Sequence, residues 1–398
     1  MRSLEETLSA LMQRALSPSS VESIPLGEAL GRILAEPVLA PMDVPGFDNA
    51  QMDGFAVRTE EIAPGQAMPV SQRIAAGHPG GPLALGSAAR IFTGAPIPDG
   101  ANAVVMQEQA LQEPDGQSVR FSIVPERGQH IRPRGGDLQV GVEVCPKGRR
   151  LRPSDLGLLA SIGIAQVRVY RPLRLCVFSS GDELVQPGIA LSPGQIYDSN
   201  RPMMLAMARS LGALVTDLGV LPDRAEVTRE ALAQAGAEQD VVLTCGGVSV
   251  GEEDHIKAAV RAVGELDLWQ VAIKPGKPFA FGRVGSAAFL GLPGNPVSAW
   301  VTFVLLVQPF LLRSSGADEV TAPRSRAIAR FDWPRPDARE EFLRGWLDEE
   351  GRVGIHPKQN SQLLTSVTQS NCLVCVPAGT VVRAGDSVEL IPFSALRI

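Results

Sequence analysis

From residue 173 to residue 316 the chain alternates apolar, strand-like runs with helix-like stretches, and this rhythm restricts the fold more than any other feature. Strands are predicted at 173–178, 213–220 and 240–244, with helices near 200–211, 225–235 and 254–263. Spacing of this kind yields a parallel sheet covered on both faces. The first strand, LCVFSSGDEL (175–184), breaks into small residues and then presents Asp182 and Glu183. The run VVLTCGGVSVG (241–251) repeats the design, with Glu252, Glu253 and Asp254 behind it. Open α/β sheets build their sites at the carboxyl ends of strands. Acids beside glycine loops in that position suit a phosphorylated ligand assisted by a cation.

The flanks read differently. Leucines and a methionine at helical spacing predict a helix over 4–16, and a second helix is expected around 26–34. Between 55 and 140, short alternating segments separated by Gly and Pro turns predict a β-rich insertion. Residues 1–54 and 141–171 would form one helical and linker part around it. A final apolar helix opens at Pro296, and 325–398 alternates in the manner of a small β-barrel. The fold class expected is therefore multidomain: a central α/β domain over 172–316, a β-rich insertion and a C-terminal barrel. A chain of 398 residues is long enough for several such cores.

Bulk properties exclude several function classes. A net charge of −6 argues against a general nucleic-acid binder. The N-terminus mixes charges with spaced leucines and lacks the apolar core of a signal peptide. The most apolar stretch, 299–312, is shorter than a bilayer span and suits a buried helix. The expected location is the cytoplasm, with neither membrane nor nucleic acid as partner. The five cysteines lack metal-site spacing. Cys372 and Cys375 fall in an alternating apolar run, where buried thiols are expected. The four histidines form no metal pair or hydrolase triad.

Three glycine-bearing motifs could bind an anion. KPGKPFAFG (274–282) sets Lys274 and Lys277 around a Pro-Gly turn, where they can converge on one anion or simply face solvent. In GLPGNPVSAW (291–300), Pro293, Gly294 and Asn295 lead straight into a helix carrying Ser298. Free N–H groups there would suit an oxyanion, and a tight strand–helix connection is the alternative. GGVSVG offers the unobstructed backbone of Gly246 and Gly247 with Ser249, without the GK[ST] ending of a Walker loop. Asp53, Thr93 and Asp137 sit beside turns of the β-rich part, near Arg127, Arg132 and Arg134, where capping and solvation are the plain readings.

Taken together, PGFDNAQMDGFAV, RIFTGAPIP, VVMQEQ, IRPRGGD, FSSGDEL, IYDSN, CGGVSVGEED, IKPGKPFAFG and GLPGNPVSAW occur in the order found in the MoeA family. That family comprises molybdopterin molybdenumtransferases and is related to the E domain of gephyrin and its plant counterpart. The resemblance runs from about residue 4 to the barrel. It implies a homodimer and the last step of molybdenum cofactor synthesis, in which adenylylated molybdopterin and molybdate react and AMP is released.

Residue by residue, the resemblance implies functional positions at Glu183, Asp223, Asp254 and Lys274, with Asp53, Thr93 and Asp137 contributed by the N-terminal parts. It assigns Glu183 and Asp254 to a cation, magnesium or zinc. Lys274, Lys277 and Ser298 would hold molybdate or phosphate, and Arg344 and Ser366 would reach toward the oxyanion from the barrel. Gly246, Gly247, Ser249, Pro293, Gly294 and Asn295 would line the substrate. Gln270 stands where relatives often carry Lys or Arg, which would remove a positive charge near the anion. Transient contacts with the molybdopterin adenylyltransferase and with molybdoenzyme maturation factors are implied as well. Two other classes remain: a receptor-clustering scaffold, as for gephyrin, and adenylylation by the central domain itself. The chain is expected to lack a fused adenylyltransferase module, which favours the enzyme.

Overall fold

The computed structural model describes residues 1–398 apart from 19, 115, 223 and 248–254. Two compact units divide the chain. One comprises residues 1–36, 147–153 and 166–398; the other comprises 37–146 and 154–165.

In the larger unit the alternating segment folds as a six-stranded sheet. Its order is Leu214–Leu221, Arg174–Ser180, Val241–Cys245, Ala287–Leu292, Pro278–Val284 and Gly264–Gln270. The first three pairings are parallel and the last two antiparallel. The chain starts at Arg174–Ser180, moves outward to Leu214–Leu221, then crosses back to Val241–Cys245 on the other side. The reversal creates a crevice at the carboxyl ends of Arg174–Ser180 and Val241–Cys245. Val177, Leu243 and Leu290 are fully buried on one face, and Cys176, Val242 and Phe289 on the other. Both faces are thus covered, as continuous apolar runs of parallel strands require.

Helix Leu4–Gln13 begins with a capping box: Ser3 Oγ accepts from Glu6 N, while Glu6 returns an acceptor to Ser3 N. The helix expected at 26–34 is absent. Only a 3-10 turn at Leu26–Glu28 forms, and the chain then reverses at Gly31 with φ +75°. Helix Pro296–Ser314 is 94% buried and forms the spine of the main core. Pro309 inside it lacks an N–H and would collide with the preceding turn. The helix accommodates it through a π-helical stretch at Phe303–Val307.

The barrel closes through five strands: Ser325–Ala329, Glu340–Leu347, Arg352–Ile355, Cys372–Val376 and Ser387–Pro392. Closure comes from the additional pairing of Glu340–Leu347 with Cys372–Val376. Period-two alternation sends Leu343, Cys372 and Val374 to its interior. Phe342, Leu373 and Cys375 point outward into the core shared with Pro296–Ser314. A sixth, two-residue strand, Ile273–Lys274, pairs in parallel with Glu340 and Glu341.

The smaller unit is built on a six-stranded sheet in the order Ala103–Met106, Gly54–Val57, Ala88–Ile91, Ala67–Ile74, Ser118–Phe121 and Ala110–Gln112. Phe55 packs edge-on against Phe121 at 5.9 Å on one face. Ala56, Ile74 and Ile91 fill the other. Gly54 is required by close approach, since a Cβ there would lie 1.9 Å from Val105 O.

Candidate active site

Within the larger unit a cleft of about 460 Å³ opens between the 274–278 turn, the start of helix Pro296–Ser314 and the barrel. The turn is held by Val271 N donating to Lys277 O at 2.8 Å. Gly276 has φ +116°, and a Cβ there would meet Thr302 Oγ1 at 2.6 Å, so the turn lies flat on the helix. Lys274, Lys277 and Ser298 all line the cleft, as do Arg344, Arg339 and Glu341. Lys274 and Lys277 thus border the same cleft, with Lys277 exposed at its mouth.

The charges are organised in layers. Lys274 Nζ lies 2.9 Å from Glu341 Oε1 and 3.2 Å from Asp337 Oδ2. Glu341 is 1% exposed, and its Oε2 accepts from the Trp333 indole at 2.7 Å. Asp337 is further clamped by the Arg339 guanidinium and backbone N–H. The contact of the Lys274 ammonium with the Glu341 carboxylate raises the Lys274 pKa, and the Arg339 fork holds the Asp337 carboxyl well below its usual range. Four cations face two acids here, which leaves two positive charges.

Arg344 carries the strongest signal. It is 1% exposed, and burial pushes its pKa down to about 10. Its Nε donates to Ser366 Oγ at 3.2 Å and its Nη1 to Phe342 O at 3.1 Å. Its buried Nη2 has no hydrogen-bond partner among the described residues. A buried guanidinium without a carboxylate is costly unless an anion completes it. Ser366 is fully buried behind Arg344 and donates to Leu363 O, so it supports the guanidinium instead of reaching toward the cleft.

Gln359 fixes the strand under Arg344. Its Oε1 accepts from Arg344 N at 3.0 Å, and its Nε2 donates to Arg344 O and His356 O at 2.9 and 2.8 Å. The same loop ties to the helix start through Val297 N donating to Ser361 O at 3.0 Å. Ser298 itself is 6% exposed in the first helical turn. Trp333, Asp337, Arg339, Glu341, Gln359, Asn360 and Ser361 were not anticipated from sequence. The one available signal was charge inside an apolar strand, in REEFLRGW (339–346).

The remaining predicted residues lie elsewhere. Pro293 is buried, with Gly294 and Asn295 exposed at the carboxyl edge of the sheet. Asn200 Nδ2 donates to Gly294 O at 2.6 Å, and Gly246 N donates to Leu292 O at 3.0 Å. Gly246 and Gly247 both have positive φ, and a Cβ on Gly247 would strike Ile256 Cδ1 at 2.2 Å. Glu183 is exposed and folds over Gly181, where a Cβ would meet its Oε2 at 2.5 Å. Asp223, Ser249 and Asp254 lie outside the described residues, so the expected Glu183–Asp254 cation pair has one described member. Gln270 is exposed on the sheet edge and is not part of the cleft lining. The five thiols are buried, and burial pushes Cys176, Cys372 and Cys375 up to about 12.

In the smaller unit, Asp53 Oδ1 accepts from both Thr93 N and Thr93 Oγ1, at 2.8 and 2.7 Å. These bonds lower the Asp53 pKa, with Arg90 adding a weaker attraction. Asp137 is exposed, and its N–H donates to Val44 O. Arg134 is paired with Asp43 and Arg127 with Glu60.

A doubly covered, mainly parallel sheet with a glycine-lined switch point, joined to a barrel that completes a net-positive cleft, defines an α/β protein whose cleft has the charge and donors to suit an oxyanion. Family models match along the chain: the MoeA N-terminal region (domain I and II) over residues 2–163, a probable molybdopterin binding domain over 176–313, and the MoeA C-terminal region (domain IV) over 326–393. The chain is 41% identical to the molybdopterin molybdenumtransferase of Haemophilus influenzae across all of both chains. It is 34% identical to that of a Nostoc species, covering 96% of this chain and 91% of the relative. Among solved structures, a molybdopterin biosynthesis MoeA protein from Pyrococcus horikoshii superposes with TM-score 0.86 at 29% identity, covering 98% of this chain and all of that one. The chain belongs to the molybdopterin molybdenumtransferase (MoeA) family, transferases of late molybdenum cofactor biosynthesis.

Proposed function

We propose that this chain catalyses the closing step of molybdenum cofactor assembly: it binds molybdate and adenylylated molybdopterin, releases AMP and leaves molybdenum on the dithiolene. The observation that carries this reading is the buried Arg344 guanidinium, with one donor edge unfilled, in a cleft whose two excess positive charges would balance a tetrahedral dianion. Lys274 and Lys277 supply long-range attraction, and Ser298 a hydroxyl at the start of the helix. Arg344 supplies directional donors that do not reorganise when the anion arrives.

The phosphorylated substrate would lie along the carboxyl edge, over Gly246, Gly247, Gly294 and Asn295, whose lack of bulk admits phosphate oxygens. Glu183 offers an exposed hard-oxygen ligand there, which fits magnesium or zinc together with Asp254. A bound cation would neutralise charge on the phosphoanhydride. Asp53, Thr93 and Asp137 would serve the same reaction from a partner copy in a homodimer. The proposed location is the cytoplasm, with transient contacts to the adenylyltransferase that supplies the substrate and to molybdoenzyme maturation factors.

The test is AMP release from adenylylated molybdopterin with and without molybdate. Molybdate-stimulated release is expected from wild type, and its loss from Arg344→Met. AMP release indifferent to molybdate in both proteins would overturn the reading, and net synthesis of adenylylated molybdopterin from ATP would replace it with adenylylation.

A further inference from the structure

The acids of the cleft determine which oxyanions it accepts. Tetrahedral dianions of similar size differ in one respect that a protein can read: at about pH 8, phosphate still carries a P–OH donor, whereas sulfate, molybdate and tungstate carry none. A site that welcomes phosphate offers that proton a free carboxylate acceptor. This cleft has two carboxylates, and an N–H donor or the Lys274 ammonium already faces each of their oxygens. Glu341 Oε1 is held by that ion pair and, among the described residues, by no hydrogen bond. Glu341 Oε2 accepts the Trp333 indole N–H at 2.7 Å, and Glu341 Oε1 lies 2.9 Å from the Lys274 ammonium. Asp337 Oδ1 accepts from Arg339 N and Nε, and Asp337 Oδ2 faces Arg339 Nη2 and Lys274 Nζ. The amide oxygens nearby are engaged too: Gln359 Oε1 by Arg344 N, and Asn360 Oδ1 by Gln362 N. The hydroxyls of Ser298 and Ser361 can turn either way, so they tolerate a proton without rewarding it.

We propose that Trp333 and Glu341 form a selectivity device, in which the indole consumes the acceptor that a protonated oxyanion would need, so that the cleft favours fully deprotonated dianions over phosphate. The inference rests on the oxyanion reading of the cleft given above. Trp333 acts through Glu341 and is a specificity-determining residue by position: it is half-buried, lines the cleft and points its only donor at an acid that is 1% exposed. Burial makes the pairing matter, because a buried carboxylate oxygen without a donor would seek one from the ligand.

Titration calorimetry with sodium sulfate, molybdate and phosphate on the full chain tests this. Wild type should bind sulfate and molybdate at least about tenfold tighter than phosphate, the worth of one misdirected hydrogen bond. Trp333→Phe removes the indole donor while keeping an aromatic ring, and it should narrow the sulfate-to-phosphate ratio at least about threefold. Trp333→His keeps an N–H on the ring edge and should retain most of the wild-type ratio. A general loosening of the fold would weaken all the anions together in both variants and leave the ratio in place. The proposal fails if wild type binds phosphate as tightly as sulfate, or if Trp333→Phe leaves the ratio unchanged. If wild type binds none of the three anions, the oxyanion reading itself falls.

Discussion

The cleft around Arg344 and the Asp53–Thr93 pair put charge to opposite uses. In the cleft, a cation is buried, stripped of water and left with an unfilled donor. At Asp53, an acid near the surface is satisfied by its own loop, through two donors from Thr93. The first arrangement leaves a donor that a ligand could fill; the second is a finished local structure that holds a turn in shape. Burial is what separates them, because an unpaired charge in a low-dielectric site keeps nearly its full pull on an incoming counter-ion.

The largest effect is expected from Arg344→Met, which keeps volume and removes charge. Molybdate affinity should fall by about 100-fold, by loss of a buried charge-assisted contact. Unfolding free energy measured in urea should not drop, since the desolvation cost of the guanidinium disappears with it. A destabilised variant with intact binding would invert the comparison. Next comes Gln359→Ala, which unfastens the backbone at Arg344. Affinity should weaken about tenfold and stability by about 1–2 kcal/mol, read by calorimetry and urea titration.

The acids answer to pH. The folded-state pKa of Asp337 is depressed, chiefly by Arg339, so its stabilisation is full above the unfolded carboxylate value and lost as pH falls below it. Stability of wild type should decline by about 1 kcal/mol more than that of Asp337→Asn between pH 5 and pH 2. Thr93→Val should bring the Asp53 pKa up toward its ordinary value by NMR titration, while molybdate affinity in the cleft stays within about twofold. A large loss of anion binding there would erase the distinction between the two regions.

What was legible in the sequence was local. The KPGKP and GLPGNPV turns announce their geometry through Pro and Gly, and the alternation over 173–316 announces the parallel sheet. Arg344 and Ser366 were found through family resemblance, yet their division of labour was not: alternation in Glu340–Leu347 turns Arg344 toward the helix, with Ser366 supporting it from behind. The residues that tune the cleft were invisible because barrel closure brings 333–344 and 356–361 against a turn more than fifty positions earlier. The helix expected at 26–34 failed because Gly31 reverses the chain with positive φ, a choice that overrides apolar periodicity. Gln270, suspected of weakening the anion site, lies outside the cleft lining. Gln270→Lys should accordingly change molybdate affinity by less than about twofold at moderate salt.

The two-residue strand that carries Lys274 is hydrogen-bonded into the barrel sheet, with Ile273 beside Glu340 and Lys274 beside Glu341. The lysine turn and the arginine strand are therefore one continuous piece of sheet. Such a seam cannot part without breaking ladder bonds, so this wall of the cleft has no jaw to open. For an anion entering the proposed site, this wall would offer exposed side chains such as Lys277 to turn aside, and no hinge to swing.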